Sequence, residues 1–256
     1  MPVQVNKKVR SFYSGAGMQI AIVVYPGFTA LDALGPYEVF KMLPGAEIRF
    51  VAKNIGPVAT DRGLLLVGAT HSFKETPNPD IVLIPGSEAH TALAATDRHL
   101  TTWLRHAHKG TRYTTSVCSG AIVLAATGLL KDKPATSHWA AMGALKRLGA
   151  VPQPEQRVVQ SGKIWTAAGV SAGIDLAFTL VEDMAGRAVA ERIQLMIEYD
   201  PQPPQNAGHM NKAPDSVAHA ARTEMADLSR NPMNAVALCK FAWQKALTRA
   251  RTVVRR

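Results

Sequence analysis

Few side chains in this sequence can form or break covalent bonds, and one of them sits where a nucleophile would. The chain has two cysteines in 256 residues. Cys118 lies in TTSVCSGAIVLAATG, residues 114–128, where a β-branched run ends at the thiol, Gly120 follows two positions on, and a small apolar helix-forming run begins. A residue squeezed between a strand and a helix needs small neighbours two positions either side. Ser116 and Gly120 supply them, in the pattern of a G-x-S-x-G elbow centred on cysteine. The start of the following helix offers partial positive charge and free N–H groups, which favour thiolate over thiol. The Ser119 N–H is placed to meet a developing anion, with a second donor expected from Gly86 or Ser87. The rival reading is a small buried hydrophobe, the commonest fate of a free cysteine, and the turn favours the nucleophile. Cys239, in LCKFAW, has no such setting and reads as packing.

Other candidates are weaker on their own residues. Asp32 lies in the apolar stretch TALDALGP, where it could cap a helix starting at Gly35-Pro36 or face a pocket; the residues alone lean towards capping. His138, in TSHWAA, invites a dyad with Cys118, yet it stands at a helix start beside Trp139 and reads as packing near the site. The pair His106 and His108 would diverge by roughly 200° on a helix of 3.6 residues per turn, so a shared metal ion is not expected.

The elements that must position these residues alternate. QIAIVVYPG (19–27), EIRFVAK (47–53), DIVLIPG (80–86) and RYTTSVC (112–118) read as strands, two of them closed by Pro-Gly. Helices are expected over 29–43, interrupted or restarted at Gly35-Pro36; over 96–110, with Thr96 or Asp97 as cap and Gly110 as stop; over 136–150; and over 171–200, as two helices joined near Gly186. RVVQSGKIWTAAG (157–169) reads as a hairpin turning at Ser161-Gly162, an antiparallel edge. Such alternation implies a largely parallel sheet covered on both faces, whose functional residues gather at the carboxyl ends of strands.

Composition bounds the partners. The formal charge is +10, but between Val217 and Arg256 eight Lys and Arg face only Glu224 and Asp227, so most of the excess belongs to the tail. A basic tail of this length has no room for two recognition units, and sequence-specific nucleic-acid binding is not expected. No apolar run is long enough to span a membrane, and the Lys7, Lys8 and Arg10 cluster is not followed by a signal-peptide core, which points to a cytoplasmic, reduced protein. The chain divides into an extension over 1–17, a catalytic domain over 18–216 that closes with the Pro-rich PQPPQNAGHMNKAPDS, and a basic helical tail over 217–256.

Taken together, VVYPGFTALDALGPYEVF, DIVLIPG, TTSVCSGAIVLAATGLLKDKPATSHW and IQLMIEYDPQPP resemble the ThiJ/PfpI superfamily and, within it, the isonitrile hydratases. The resemblance runs from about Gln19 to Ser216. It implies a flavodoxin-like (class I glutamine amidotransferase-like) three-layer α/β sandwich with a mostly parallel sheet, a homodimer, and neither metal nor organic cofactor. It also implies a carboxylate beside the cysteine, matched here by Asp32. Two anions held together resist joint ionisation, so such a pair would share a proton and act as acid and base in turn. The implied reaction adds water to an isonitrile through a cysteine thioimidate, with Ser119, Gly86 and Ser87 stabilising charge and Thr115 or Ser119 orienting water.

Departures from relatives narrow the choice. Peptidase-like members carry histidine directly after the nucleophile, whereas Ser119 stands here, and no histidine is followed two residues on by glutamate as class I glutamine amidotransferases require. Ser87 replaces a glycine usual in relatives and Ser119 a frequent threonine; the second change keeps a hydroxyl, while the first could alter the oxyanion geometry. The alternatives are a glyoxalase or deglycase-type cysteine enzyme on the same fold, and a non-enzymatic sensor domain related to transcription regulators.

Overall fold

The apolar runs closed by Pro-Gly become the middle of a seven-stranded sheet. The computed structural model describes residues 17–230 and 236. Its strands are β1 (Met18–Val23), β2 (Ala46–Ala52), β3 (Gly56–Ala59), β4 (Leu66–Ala69), β5 (His71–Ser72), β6 (Ile81–Ile84), β7 (Tyr113–Ser116), β8 (Pro134–Ala135), β9 (Val151–Pro152), β10 (Val158–Ser161) and β11 (Ile164–Ala167). The helices are α1 (Ala30–Phe40), α2 (Thr91–Thr96), α3 (Arg98–Gly110), α4 (Gly120–Ala126), α5 (Met142–Arg147), α6 (Ala172–Ala185), α7 (Arg187–Met196) and α8 (Asp215–Ser229). The main sheet runs in the order β10-β11-β7-β6-β1-β2-β5, and every neighbouring pair is parallel except β10 with β11.

Strands buried on both faces need no alternation, and β6 (IVLI) and most of β1 are buried at each residue. From β1 the chain crosses through α1 to β2 on one side; from β6 it crosses through α3 to β7 on the other. Right-handed crossovers in opposite directions put α1 and α3 on opposite faces, which makes three layers. Helix α6 packs on α1, and α2 packs on α3 and α4. The strand order therefore reverses between β1 and β6, the place where open α/β sheets hold ligands.

Several local expectations are met for the reasons given. Asp97 caps α3 by accepting from the His99 N–H at 2.8 Å. Gly186, at φ +89°, joins α6 to α7, and Gly162, at φ +60°, turns the β10–β11 hairpin. Others are corrected. Helix α1 is not interrupted at Gly35-Pro36 but runs through Pro36 without restarting. The two residues serve packing instead: a Cβ at Gly35 would lie 2.9 Å from Ile174 Cγ1, and Pro36 Cγ would be 3.2 Å from one at Gly173, so α1 and α6 need small residues at their contact. The helix expected over 136–150 shrinks to a 3-10 turn over Trp139–Ala141 and α5. The hairpin β3–β4 was not foreseen, and α8 runs through the boundary drawn between 216 and 217. Cys239 lies outside the described residues.

Glycine is required most strictly where α4 starts. A Cβ on Gly120 would lie 2.3 Å from the Ile84 carbonyl oxygen, whereas one on Gly35 would meet side chains, those of Ile174 and Leu31. Urea denaturation should show Gly120→Ala losing about 3 kcal/mol, at the upper end of overpacking costs, and Gly35→Ala losing less. Equal losses would mean that the close approach at Ile84 is not what fixes α4.

Candidate active site

The site is built where two turns touch. Strand β7 ends at Ser116 and α4 starts at Gly120, and between them Cys118 takes φ +57°, a left-handed conformation rare for a residue with a Cβ. Four hydrogen bonds hold it there. The Cys118 N–H donates to the Ala168 carbonyl at 2.8 Å, the Val117 N–H to Ile84 O at 3.0 Å, and the Gly120 N–H to Val117 O at 2.9 Å. The Ser137 hydroxyl donates to the Cys118 carbonyl at 2.8 Å. The second turn follows β6. A Cβ on Gly86 would lie 2.6 Å from the Ser119 nitrogen and 3.0 Å from Cys118 Cβ, so only glycine lets the two turns meet.

Asp32 enters from the first turn of α1 and is fully buried. Because α1 starts at Ala30, Asp32 is already inside the helix and its side chain is not that helix's cap. Its Oδ2 accepts the Gly86 N–H at 2.7 Å, and its Oδ1 has no hydrogen-bond partner among the described residues. Cys118 is the titratable neighbour that interacts with it directly. Burial, opposed by the Gly86 N–H and assisted by the nearby Asp61 carboxylate, pushes the Asp32 carboxyl up to about 7. Burial and then the Asp32 charge push the Cys118 thiol up as well, against the Ser119 N–H and hydroxyl. The expectation that the helix start would favour thiolate is therefore reversed. One turn of helix dipole does not offset desolvation and a neighbouring acid. Two acids of this kind hold two protons between them below about pH 7 and one above it.

The other candidates are placed as follows. The Ser119 hydroxyl accepts the Ser87 N–H at 3.0 Å and donates to the Ser87 carbonyl at 3.1 Å. The Ser87 hydroxyl is turned away, donating to Gly27 O at 2.5 Å. The N–H groups of Gly86 and Ser87 are thus committed to Asp32 and Ser119, and of the three expected donors only the Ser119 N–H faces the sulfur. Thr115 is buried in β7 with its hydroxyl on the Val82 carbonyl at 2.9 Å, so it is spent on the sheet and not free to orient water. His138 is half-buried, its ring beside Gly169 and Trp139, and burial lowers its basicity. Its Nδ1 accepts from the Ala140 N–H at 3.4 Å, and no hydrogen bond joins it to Cys118. His106 and His108 do diverge, to Asn78 and Thr114 respectively.

Three polar residues near the pair were not singled out from the sequence. Tyr25 is buried at the end of β1, and its hydroxyl donates to Pro85 O at 2.9 Å. Its position just before Pro26-Gly27 was the available signal, since strand ends gather functional groups. Asp61 is carried in by β3, whose end is laced to residues 27–28, and accepts from Thr29 Oγ1 at 3.0 Å. Thr91 touches Ser119, Oγ1 to Oγ at 2.6 Å; nothing in its sequence context marks it.

A buried carboxyl raised from 3.8 to about 7 has a definite sign in stability. Its folded pKa exceeds the unfolded one, so its contribution is fully present below about pH 4 and is lost as pH rises through about 7. Three units correspond to roughly 4 kcal/mol. Asp32→Asn should abolish that loss, so the variant gains stability on the original protein between pH 5 and 8 in urea titrations. Parallel pH profiles for the two proteins would show that Asp32 is not a buried acid.

Comparisons with known proteins show the family and the fold. A model of the DJ-1/PfpI family matches residues 18–183. The chain is 38% identical over 209 residues to the isonitrile hydratase of Pseudomonas putida, covering 82% of this chain and 90% of that one. It is 30% identical over 158 residues to an HTH-type transcriptional regulator of Rhizobium meliloti (strain 1021), covering 61% of this chain and 45% of the regulator. Among solved structures, a ThiJ/PfpI family protein from Pseudomonas syringae superposes with a TM-score of 0.82 at 38% identity, covering 93% of this chain and 97% of that one. With its mostly parallel sheet between helical layers and a cysteine at the turn after β7, the chain belongs to the DJ-1/PfpI family.

Proposed function

We propose that this protein is an isonitrile hydratase that works through Cys118 and Asp32. The observation that carries the reading is the buried pair itself: a thiol at φ +57° on an elbow, facing a carboxyl whose Oδ1 has no other partner. The likeness to the Pseudomonas putida isonitrile hydratase supports it.

The chemistry follows from one proton held by two acids. The sulfur of Cys118 adds to the terminal carbon of R–N≡C while the one shared proton passes from sulfur by way of Asp32 to that carbon, giving the thioimidate R–N=CH–S–Cys. Asp32, now ionised, takes a proton from water as the water oxygen attacks the same carbon, and passes that proton to the nitrogen. Collapse of the tetrahedral species breaks the C–S bond, returns the proton to the pair and releases R–NH–CHO. The Ser119 N–H, which faces the sulfur, stabilises the charge that gathers there. The raised pKa of the thiol is tolerable because no free thiolate has to accumulate: the proton leaves sulfur as the bond forms. His138 supplies shape to this neighbourhood and no proton.

We also propose that the catalytic unit begins at residue 18 and ends before the basic tail, and that it works as a homodimer. Ile55, Leu64, Leu65 and Leu66 around the β3–β4 hairpin, and Leu31 next in sequence to Asp32, are exposed apolar side chains of the kind that self-association would cover. The regulator relative favours a second reading, a sensor domain that binds and does not turn over. A glyoxalase-type activity is the enzymatic rival. Assays with para-nitrophenyl isocyanide and with methylglyoxal separate the three.

Cys118→Ala should remove turnover while leaving fold and assembly intact; more than a few per cent residual activity would exclude Cys118 as the nucleophile. The reactive form keeps one proton on the pair, so kcat/KM should rise with pH and level off above about 7, the value of Asp32. Asp32→Asn should lose that limb along with at least about 100-fold in rate. A chain ended at Asp227 should keep turnover per folded protein, because the basic residues beyond it take no part in hydration.

A further inference from the structure

Among the groups around the pair, the hydroxyl of Thr91 has a geometry that the reaction as described does not use. Thr91 is buried and in contact with Ser119. Its Oγ1 lies 2.6 Å from Ser119 Oγ and 3.3 Å from the Ser87 carbonyl. Ser119 Oγ also receives the Ser87 N–H at 3.0 Å.

A hydroxyl has one hydrogen to give and two lone pairs to receive with. At 2.6 Å one hydrogen must lie between Thr91 and Ser119. Should Ser119 give it, no hydrogen remains for the sulfur. When Thr91 gives it, the Ser87 N–H and the Thr91 O–H fill both lone pairs of Ser119, and its own hydrogen is left with two acceptors, the Ser87 carbonyl and Cys118. The Ser87 carbonyl, 3.3 Å from Thr91 Oγ1, competes for the same hydrogen at a longer distance than Ser119 Oγ. We propose that Thr91 is a positioning residue that keeps Ser119 a donor, so that the Ser119 hydroxyl can swing from the Ser87 carbonyl to the Cys118 sulfur as negative charge builds there.

This deepens the hydratase reading and rests on it for its purpose, but its test does not need an isonitrile. The charged and titratable groups that face Cys118 are Asp32 from α1, Tyr25 from the end of β1 and Asp61, through Asp32, from beyond β3, with His138 nearby on the segment after β8. Of these, Tyr25 also shares a hydrogen bond with Thr91 and loses it in Thr91→Val, and an effect passed through Tyr25 in place of Ser119 is one that would persist in a Ser119→Ala background.

The experiment is the second-order rate of Cys118 alkylation by iodoacetamide, followed by mass spectrometry from pH 6 to 10, in Thr91→Val, Thr91→Ser and the unaltered protein. Thr91→Val keeps the shape and removes the hydroxyl; it should alkylate about ten-fold more slowly, with its pH profile displaced upward, as expected for one hydrogen bond to a charged group. Thr91→Ser should restore both. In a Ser119→Ala background the Thr91→Val change should have no further effect, because the group it acts through is gone. Urea midpoints check that each variant is folded. Equal alkylation by Thr91→Val and the unaltered protein overturns the inference, and so does a loss that persists in Ser119→Ala or that Thr91→Ser fails to restore. Absence of isonitrile turnover in the unaltered protein would overturn the proposed function while the alkylation series still decides the role of Thr91.

Discussion

The site depends on the approach of two turns to within contact of backbone on backbone. The turn after β6 and the elbow after β7 meet at Gly86, Ser119 and Gly120, with no room for a Cβ at either glycine. That approach does three things at once. It points the Gly86 N–H at Asp32, lets Ser87 and Ser119 exchange hydrogen bonds, and holds Cys118 in a left-handed conformation. A left-handed residue with a Cβ costs roughly 1–2 kcal/mol. The bonds to Ala168, Ile84 and Ser137 around it offset that cost.

Burial then decides the electrostatics. Short helices and single N–H groups stabilise an anion modestly, whereas taking a carboxyl and a thiol out of water together penalises ionisation of both. The pair ends with one proton above about pH 7, and Oδ1 of Asp32, without a hydrogen-bond partner among the described residues, is the place where a moving proton can rest. A site of this kind does not store a reactive thiolate. It moves a proton as bonds form, a division of labour suited to adding an H and an OH to a single carbon.

The framework was legible because its signals are strong and local. Buried strands such as DIVLIPG announce themselves by unbroken apolar runs, the hairpin by Ser161-Gly162, and the joint between α6 and α7 by Gly186. The elbow was legible too, since small residues two positions either side of a cysteine at a strand end are what a sharp strand-to-helix turn demands. Gly35-Pro36 misled because a helix break and a close helix contact call for the same residues; contact with Ile174 and Gly173 decided it. The β3–β4 hairpin was missed because its Leu64, Leu65 and Leu66 run without alternation and stay exposed. The donors at Gly86 and Ser87 were assigned to an oxyanion because sequence shows which N–H groups are near a turn but not which acceptors reach them first. Thr115 was misread for a similar reason, as its hydroxyl meets the Val82 carbonyl across the sheet.

The central claim is that Cys118 forms a covalent bond to the isonitrile carbon. Intact-mass spectrometry of the protein quenched during turnover of para-nitrophenyl isocyanide, followed by peptide mapping, reads this directly. The account predicts a single adduct equal in mass to the whole isonitrile, located on Cys118 and absent from Cys118→Ala. Steady turnover with no adduct under any quench, or an adduct of that mass on another residue, would contradict it.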